Sequence, residues 1–153
     1  MKIITLSKKH IANIQKLERE SAPEKPDYVK YTLEELQELF DNPEKCQVFG
    51  IYLGNELVAW SSYRWIKDNL YEFSSVVVHK NHRGKGMGKA LLKYTAGEIL
   101  NNHKDAEIYL TVYPQNFNAL ILYLKNNFLI YDFKKDYYGP GADRLFLKYS
   151  KQK

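Results

Sequence analysis

Val76-Val77-Val78-His79-Lys80-Asn81-His82-Arg83-Gly84-Lys85-Gly86-Met87-Gly88-Lys89-Ala90-Leu91-Leu92 carries an apolar strand through a basic, glycine-rich turn straight into a helix. Such a segment is built to hold a phosphate. Glycines at every second position let the backbone approach a bulky anion and turn successive N–H groups toward it, while the helix start adds about half a positive charge. Arg83, Lys85 and Lys89 add cationic side chains. Two familiar phosphate loops fail on spacing. A Walker A loop ending in Gly88-Lys89 needs a glycine at 83 and a hydroxyl at 90, where Arg83 and Ala90 stand. A dinucleotide fingerprint needs a third glycine at 89, where Lys89 stands, and an acid ending the next strand, which Glu107 would begin.

Around this segment the chain has 153 residues, enough to bury about two thirds of its unfolded surface without disulfides, so residues 1–153 are expected to form a single domain. Cys46 is the only cysteine, which excludes an intrachain disulfide and a cysteine metal site and fits a reducing cytoplasm. The apolar start Met1 to Leu6 is too short for a signal peptide and no later run approaches a membrane span, so a cytoplasmic protein without membrane partners is expected. A net charge of +5 favours anionic ligands without demanding nucleic acid, and no nucleic-acid recognition motif is present. His79 and His82 bracket the turn as surface or loop residues, with no metal-ligand spacing, so no metal is expected.

Hydrophobic periodicity predicts a strand over residues 2–6, a helix over about 8–20, and a break at Ser21-Ala22-Pro23-Glu24-Lys25-Pro26. Thr32-Leu33-Glu34-Glu35 is a capping box opening a second helix, and the two helices flank a loop that could face a ligand. Gln47 to Leu53 and Leu57 to Trp65 read as a hairpin about Gly54-Asn55, and Leu70 to Val78 as a third strand. A helix over about 86–101 precedes a strand from Glu107 to Tyr113, a helix from Asn116 to Asn127, and strands Phe128 to Phe133 and Leu145 to Tyr149. The order β-α-α-β-β-β-α-β-α-β-β predicts an α/β layering with a mixed sheet.

Arg83-Gly84-Lys85-Gly86-Met87-Gly88 resembles the pyrophosphate loop of the GNAT acetyltransferase superfamily, Arg/Gln-x-x-Gly-x-Gly/Ala. Val112 to Phe128 is similar to that family's Val-Arg-x-x-Asn-x-x-Ala-x-x-Leu-Tyr-x-x-x-Gly-Phe, with Asn116, Ala119, Leu122, Tyr123 and Phe128 in register and Asn127 replacing the glycine. The resemblance covers essentially the whole chain and implies the GNAT fold, a mostly antiparallel sheet flanked by helices. It implies acetyl-CoA as co-substrate and transfer of its acetyl group to a primary amine. The backbone of Val76, Val77 and Val78 would then pair with the pantetheine arm. The turn of Arg83, Gly84, Lys85, Gly86, Met87, Gly88, Lys89 and Ala90 would hold the pyrophosphate, and Asn116 would contact the cofactor.

Tyr123 falls where the family places the acid for the departing sulfur, although a tyrosine on an amphipathic helix also reads as packing. Glu72, eleven residues before Arg83, matches the base of the branch resembling histone acetyltransferases; it reads equally as a solvated carboxylate near a strand start. Period-2 alternation puts it with Ser74, Val76 and Val78. In the branch resembling ribosomal-protein alanine acetyltransferases the base lies five residues before Asn116, where Thr111 cannot serve. Tyr137-Tyr138-Gly139-Pro140-Gly141-Ala142-Asp143 nevertheless resembles the Tyr-Tyr-x-x-Gly-x-Asp hairpin of protein N-terminal acetyltransferases, making Tyr137 and Tyr138 candidates for substrate contact, with Trp60, Tyr63 and Trp65 as a facing wall. A peptide or protein amine is the expected acceptor. A polyamine or aminoglycoside-like amine, or a non-catalytic acyl-CoA-binding regulator, is the alternative. Many proteins of this fold pair as homodimers, which the resemblance allows here.

Overall fold

The computed structural model describes residues 1–24 and 26–150. Lys25, in the expected break, and residues 151–153, in the expected domain, lie outside the described residues. The elements run β1 (Ile3–Thr5), a 3-10 turn (Lys8–His10), α1 (Ile11–Ser21), α2 (Leu33–Asp41), β2 (Cys46–Leu53), β3 (Glu56–Lys67) and β4 (Leu70–Val78). A second 3-10 turn (Lys80–His82) leads to α3 (Met87–Asn102), β5 (Glu107–Val112), α4 (Phe117–Lys125), β6 (Phe128–Lys134) and β7 (Arg144–Tyr149). The capping box forms as the sequence predicts: the Glu35 N–H donates to the Thr32 hydroxyl at 3.1 Å and the Thr32 N–H to the Glu35 carboxylate at 2.9 Å.

Among the described residues the strands form one seven-stranded sheet in the order β1-β2-β3-β4-β5-β7-β6, antiparallel except for β4 with β5. Each face has its own core. Leu6, Ile14, Leu17, Leu36, Leu39, Trp60 and Val77 fill the space under α1 and α2. Phe49, Tyr63, Phe73, Leu91, Ile99, Leu110 and Tyr123 fill the other face, under α3 and α4.

Two irregularities in β4 shape everything that follows. Its pairing with β5 extends only over Leu70, Tyr71 and Glu72 against Glu107, Ile108 and Tyr109, and beyond that point the strands part. On its other side Ser62 pairs with Ser75 while Tyr63 pairs with Phe73, so Ser74 is an extra residue, a β-bulge. The bulge shifts the alternation by one. Glu72 therefore shares a face with Ser75 and Val77, the side of α1 and α2, rather than with Val76 and Val78, which pack toward α3.

Candidate active site

The glycine turn is organised as a cradle. Gly84 (φ +76) and Gly86 (φ +85) take left-handed backbone conformations, Gly86 being the residue before α3, and a Cβ on either would meet nothing within 4 Å. Glycine is needed there for its backbone angle, since an L-residue in that region costs about 1–2 kcal/mol. Gly88 is needed for space, because a Cβ there would stand 3.2 Å from Leu122 on α4. The result is the start of a sixteen-residue helix, whose leading N–H groups have no partner within the helix, with Lys85 and Lys89 exposed beside it and Met87 buried beneath. Arg83 is committed differently: its Nε donates to the Val78 carbonyl (3.2 Å) and a terminal nitrogen to the Ser21 carbonyl (2.6 Å), stapling the turn to the end of α1. A pyrophosphate fits this cradle. Gly86→Ala is expected to leave the fold intact and to weaken coenzyme A binding about tenfold, by reorienting the turn's N–H groups, as titration calorimetry would show.

Across the sheet from α3 lies a cavity of about 460 Å³. Glu72 and Ser74 from β4 and Thr111 from β5 line it where the two strands part, with Tyr28 and Tyr31 from the α1–α2 loop, Arg64 and Trp65 from β3, and Tyr138 and Arg144 from the β6–β7 region. Register explains the gathering. Arg64 opposes Glu72, Glu72 opposes Tyr109, Tyr109 opposes Lys148 and Thr111 opposes Phe146, so alternate residues of four strands face the cavity together. The Glu72 carboxylate accepts from Arg64 Nε at 2.7 Å and is only 5% exposed, whereas the Arg64 side chain is half-exposed. Tyr31 donates to the Ser74 carbonyl at 3.2 Å, and burial pushes its phenol up to about 12.

Tyr123 is buried in the α3-side core against Phe128, and burial alone raises its phenol well above the usual value. It therefore stays protonated at neutral pH. Burial is also the main cause that raises the Tyr28 phenol, with Glu18 and Tyr31 adding to it. Asn116 stands just before α4, partly buried.

The sequence-predicted aromatic wall does not assemble as expected. Tyr63 packs between Phe49 and Tyr71 in the α3-side core, at ring distances of 6.2 and 6.1 Å, and does not face the cavity. Trp60 is fully buried beneath Tyr31, and of the three only Trp65 lines the cavity. Tyr138 does line it, and Tyr137 meets Tyr138 and Phe146 edge to face just outside. Sequence reasoning passed over Tyr28, Tyr31, Arg64 and Arg144. The loop between α1 and α2 was legible as ligand-facing, but which of its side chains turn inward depends on the long-range seat on Ser74.

His79, expected at the surface, is buried: its Nδ1 accepts from the Asn81 N–H and its Nε2 lies 3.1 Å from Glu20. Glu56, His79 and His82 bring ligand atoms within 4.8 Å of one another. With Nδ1 accepting from Asn81, Nε2 is the His79 nitrogen that faces Glu20.

Behind Tyr28, its hydroxyl donates to Glu18 Oε1 at 3.2 Å, and Glu18, buried with Oε2 unpartnered, has its pKa raised from 4.5 to about 7, chiefly by desolvation. Because the folded value is the higher, the native state holds this proton more tightly. Its favourable contribution is complete below about 4.5 and is lost as pH rises toward 7, a difference of about 3 kcal/mol at most. Glu18→Gln is expected to flatten the fall in Tm across that pH window, read by thermal melts at several pH values.

The comparisons with known proteins agree with this geometry. Residues 11–128 match the sequence profile described as Acetyltransferase (GNAT) family. The chain is 34% identical over 73 residues to an N-alpha-acetyltransferase from Saccharolobus solfataricus, covering 48% of this chain and 44% of that protein. It is 24% identical over 106 residues to a probable spermine N(1)-acetyltransferase from Bacillus subtilis subsp. natto, covering 63% and 70%. The chain thus spans less than half the length of the first of these curated relatives. Among solved structures, the PaiA N-acetyltransferase from Thermoplasma acidophilum in complex with coenzyme A superposes with a TM-score of 0.76 at 21% identity, covering 99% of this chain and 100% of that one. A ribosomal-protein-alanine N-acetyltransferase from Brucella melitensis gives 0.78 at 18%, covering 97% and 98%. At these identities the structures speak for the fold alone. A glycine cradle at the start of α3, a sheet that parts between β4 and β5, and a profile match over most of the chain together establish that this protein belongs to the GNAT acetyltransferase family.

Proposed function

We propose that this protein transfers the acetyl group of acetyl-CoA to a primary amine of a peptide or protein by direct attack. The observation that carries the reading is the parting of β4 from β5 just past Glu72, which leaves the rest of β4 unpaired on that side as it runs from the tyrosine-lined cavity to the glycine turn. The free edge of Val76, Val77 and Val78 and the turn from Arg83 to Ala90 suit the co-substrate's arm and pyrophosphate, and Asn116, just before α4, is a further cofactor contact in this reading. Acetyl-CoA supplies the activated carbonyl. Glu72 accepts a proton from the acceptor's ammonium; as the carbon–nitrogen bond forms and the carbon–sulfur bond breaks, Tyr123 gives its proton to the thiolate, and the second proton leaves the nitrogen to solvent, from which Tyr123 is reprotonated. Tyr28, Tyr31 and Tyr138 offer planar walls and hydroxyls suited to a peptide's first residues.

A second reading, acetylation of a small polycation, draws on Asp27, Glu35 and Glu38, which line the cavity with Glu72. The two relatives named for N-alpha and spermine acetylation divide along the same line. Free-thiol release from acetyl-CoA, offered short peptides and, separately, spermine and aminoglycosides, tests both. Turnover on peptides supports the first, and turnover on the small amines alone replaces it with the second.

A further inference from the structure

Arg144 is 97% buried in the wall of the cavity, its relative exposure being 3%. Its guanidinium lies against two aromatic faces, 5.0 Å from the Tyr138 ring and 5.8 Å from that of Tyr113. One nitrogen donates to the Asp143 carbonyl at 2.7 Å, and Arg144 makes no ion pair with the described residues. The other cations of the lining are engaged: Arg64 with Glu72, Lys30 with Glu24, and Lys45 over Trp65. A guanidinium has five donors in a rigid fork, and since no Arg144 nitrogen is among the buried unpartnered atoms, the donors not bonded to Asp143 are open to the cavity. Desolvation lowers its pKa, outweighing the opposing influence of Tyr138, Asp27, Tyr113 and Asp143, none of which makes an ion pair with it.

We propose that Arg144 forms a carboxylate subsite in the acceptor cavity, so that the acceptor carries a carboxylate near the amine it presents to Glu72. This rests on the acetyl-transfer reading and narrows its acceptor to an amine-bearing molecule with acidic character: a peptide with an acidic residue close to its N-terminus, or a very short one with a free C-terminus. The walls suit such a zwitterion, with Glu72 facing the ammonium and Arg144 the carboxylate. A polyamine, cationic along its whole length, would bring like charge to Arg144. The Tyr113 and Tyr138 rings flank the guanidinium at 5.8 and 5.0 Å, and a guanidinium fork matches a carboxylate bidentately.

Titration calorimetry on the coenzyme A-loaded protein tests this without turnover, using Ala-Glu-amide, Ala-Gln-amide, Ala-Gln with a free C-terminus, and spermine. The wild type is expected to bind one of the two carboxylate-bearing peptides about 10- to 100-fold more tightly than Ala-Gln-amide, and which one identifies the source of the carboxylate. Arg144→Gln is expected to abolish the preference with coenzyme A affinity unchanged. If that variant does not fold, Arg144→Lys, which keeps the charge but loses the fork, should reduce the preference severalfold. Equal binding of acidic and neutral peptides by the wild type overturns the subsite, as does a preference that survives in Arg144→Gln or is undiminished in Arg144→Lys. Binding of spermine and of none of the peptides also overturns it. Charge-selective binding with no thiol release keeps the subsite and removes the transfer reading instead.

Discussion

Tyr123→Phe is expected to lower kcat by about two orders of magnitude or more, with the KM for acetyl-CoA and the melting temperature nearly unchanged. The structure makes this substitution unusually clean. The ring sits in the α3-side core against Phe128, and no described residue hydrogen-bonds its hydroxyl, so phenylalanine fills the same volume and strands no partner. Any loss of rate is then chemical. Burial holds the phenol protonated, the state an acid for the departing thiolate needs. Steady-state kinetics beside a thermal melt check both halves. A kcat within about threefold of wild type would place Tyr123 among the packing residues.

Glu72→Gln carries the second large effect, a fall in kcat/KM of about two to four orders of magnitude on any acceptor that arrives as an ammonium ion. Glutamine preserves the shape and still accepts from Arg64, and Arg64 is half-exposed, so a stability loss of about 1 kcal/mol is expected. The distinguishing signature is pH. If Glu72 removes the ammonium proton, raising the pH, which deprotonates the acceptor in solution, should recover activity in Glu72→Gln more steeply than in the wild type. A variant whose rate stays in fixed proportion to wild type across pH would assign Glu72 to positioning through Arg64.

The segment from β4 through the turn to α3 was legible in the sequence because holding a phosphate constrains backbone: Gly84 and Gly86 take the left-handed angles that their composition suggests, and α3 begins at Met87. The order of elements was legible for the same reason that Thr32-x-x-Glu35 was, since local patterns announce local structure. The bulge at Ser74 was not. Strict alternation assigned Glu72 to the face of Val76 and Val78, and only the cross-strand register reveals the extra residue that turns it toward α1 and α2. Tyr63 was misplaced because a strand aromatic reads alike on either face. Tyr28, Tyr31 and Arg144 were missed because their orientation follows from long-range packing, on Glu18, on Ser74 and between two tyrosine rings, that no spacing rule encodes.

The most direct test of acetyl transfer is mass spectrometry of short peptides incubated with acetyl-CoA and the purified protein, beside Glu72→Gln and Tyr123→Phe. An acetyl group on the peptide amine is expected with the wild type, and strongly reduced acetylation with both variants. Normal coenzyme A binding with no acetylated peptide or small amine would contradict it, leaving an acyl-CoA-binding module that kept the cradle at α3 without the chemistry.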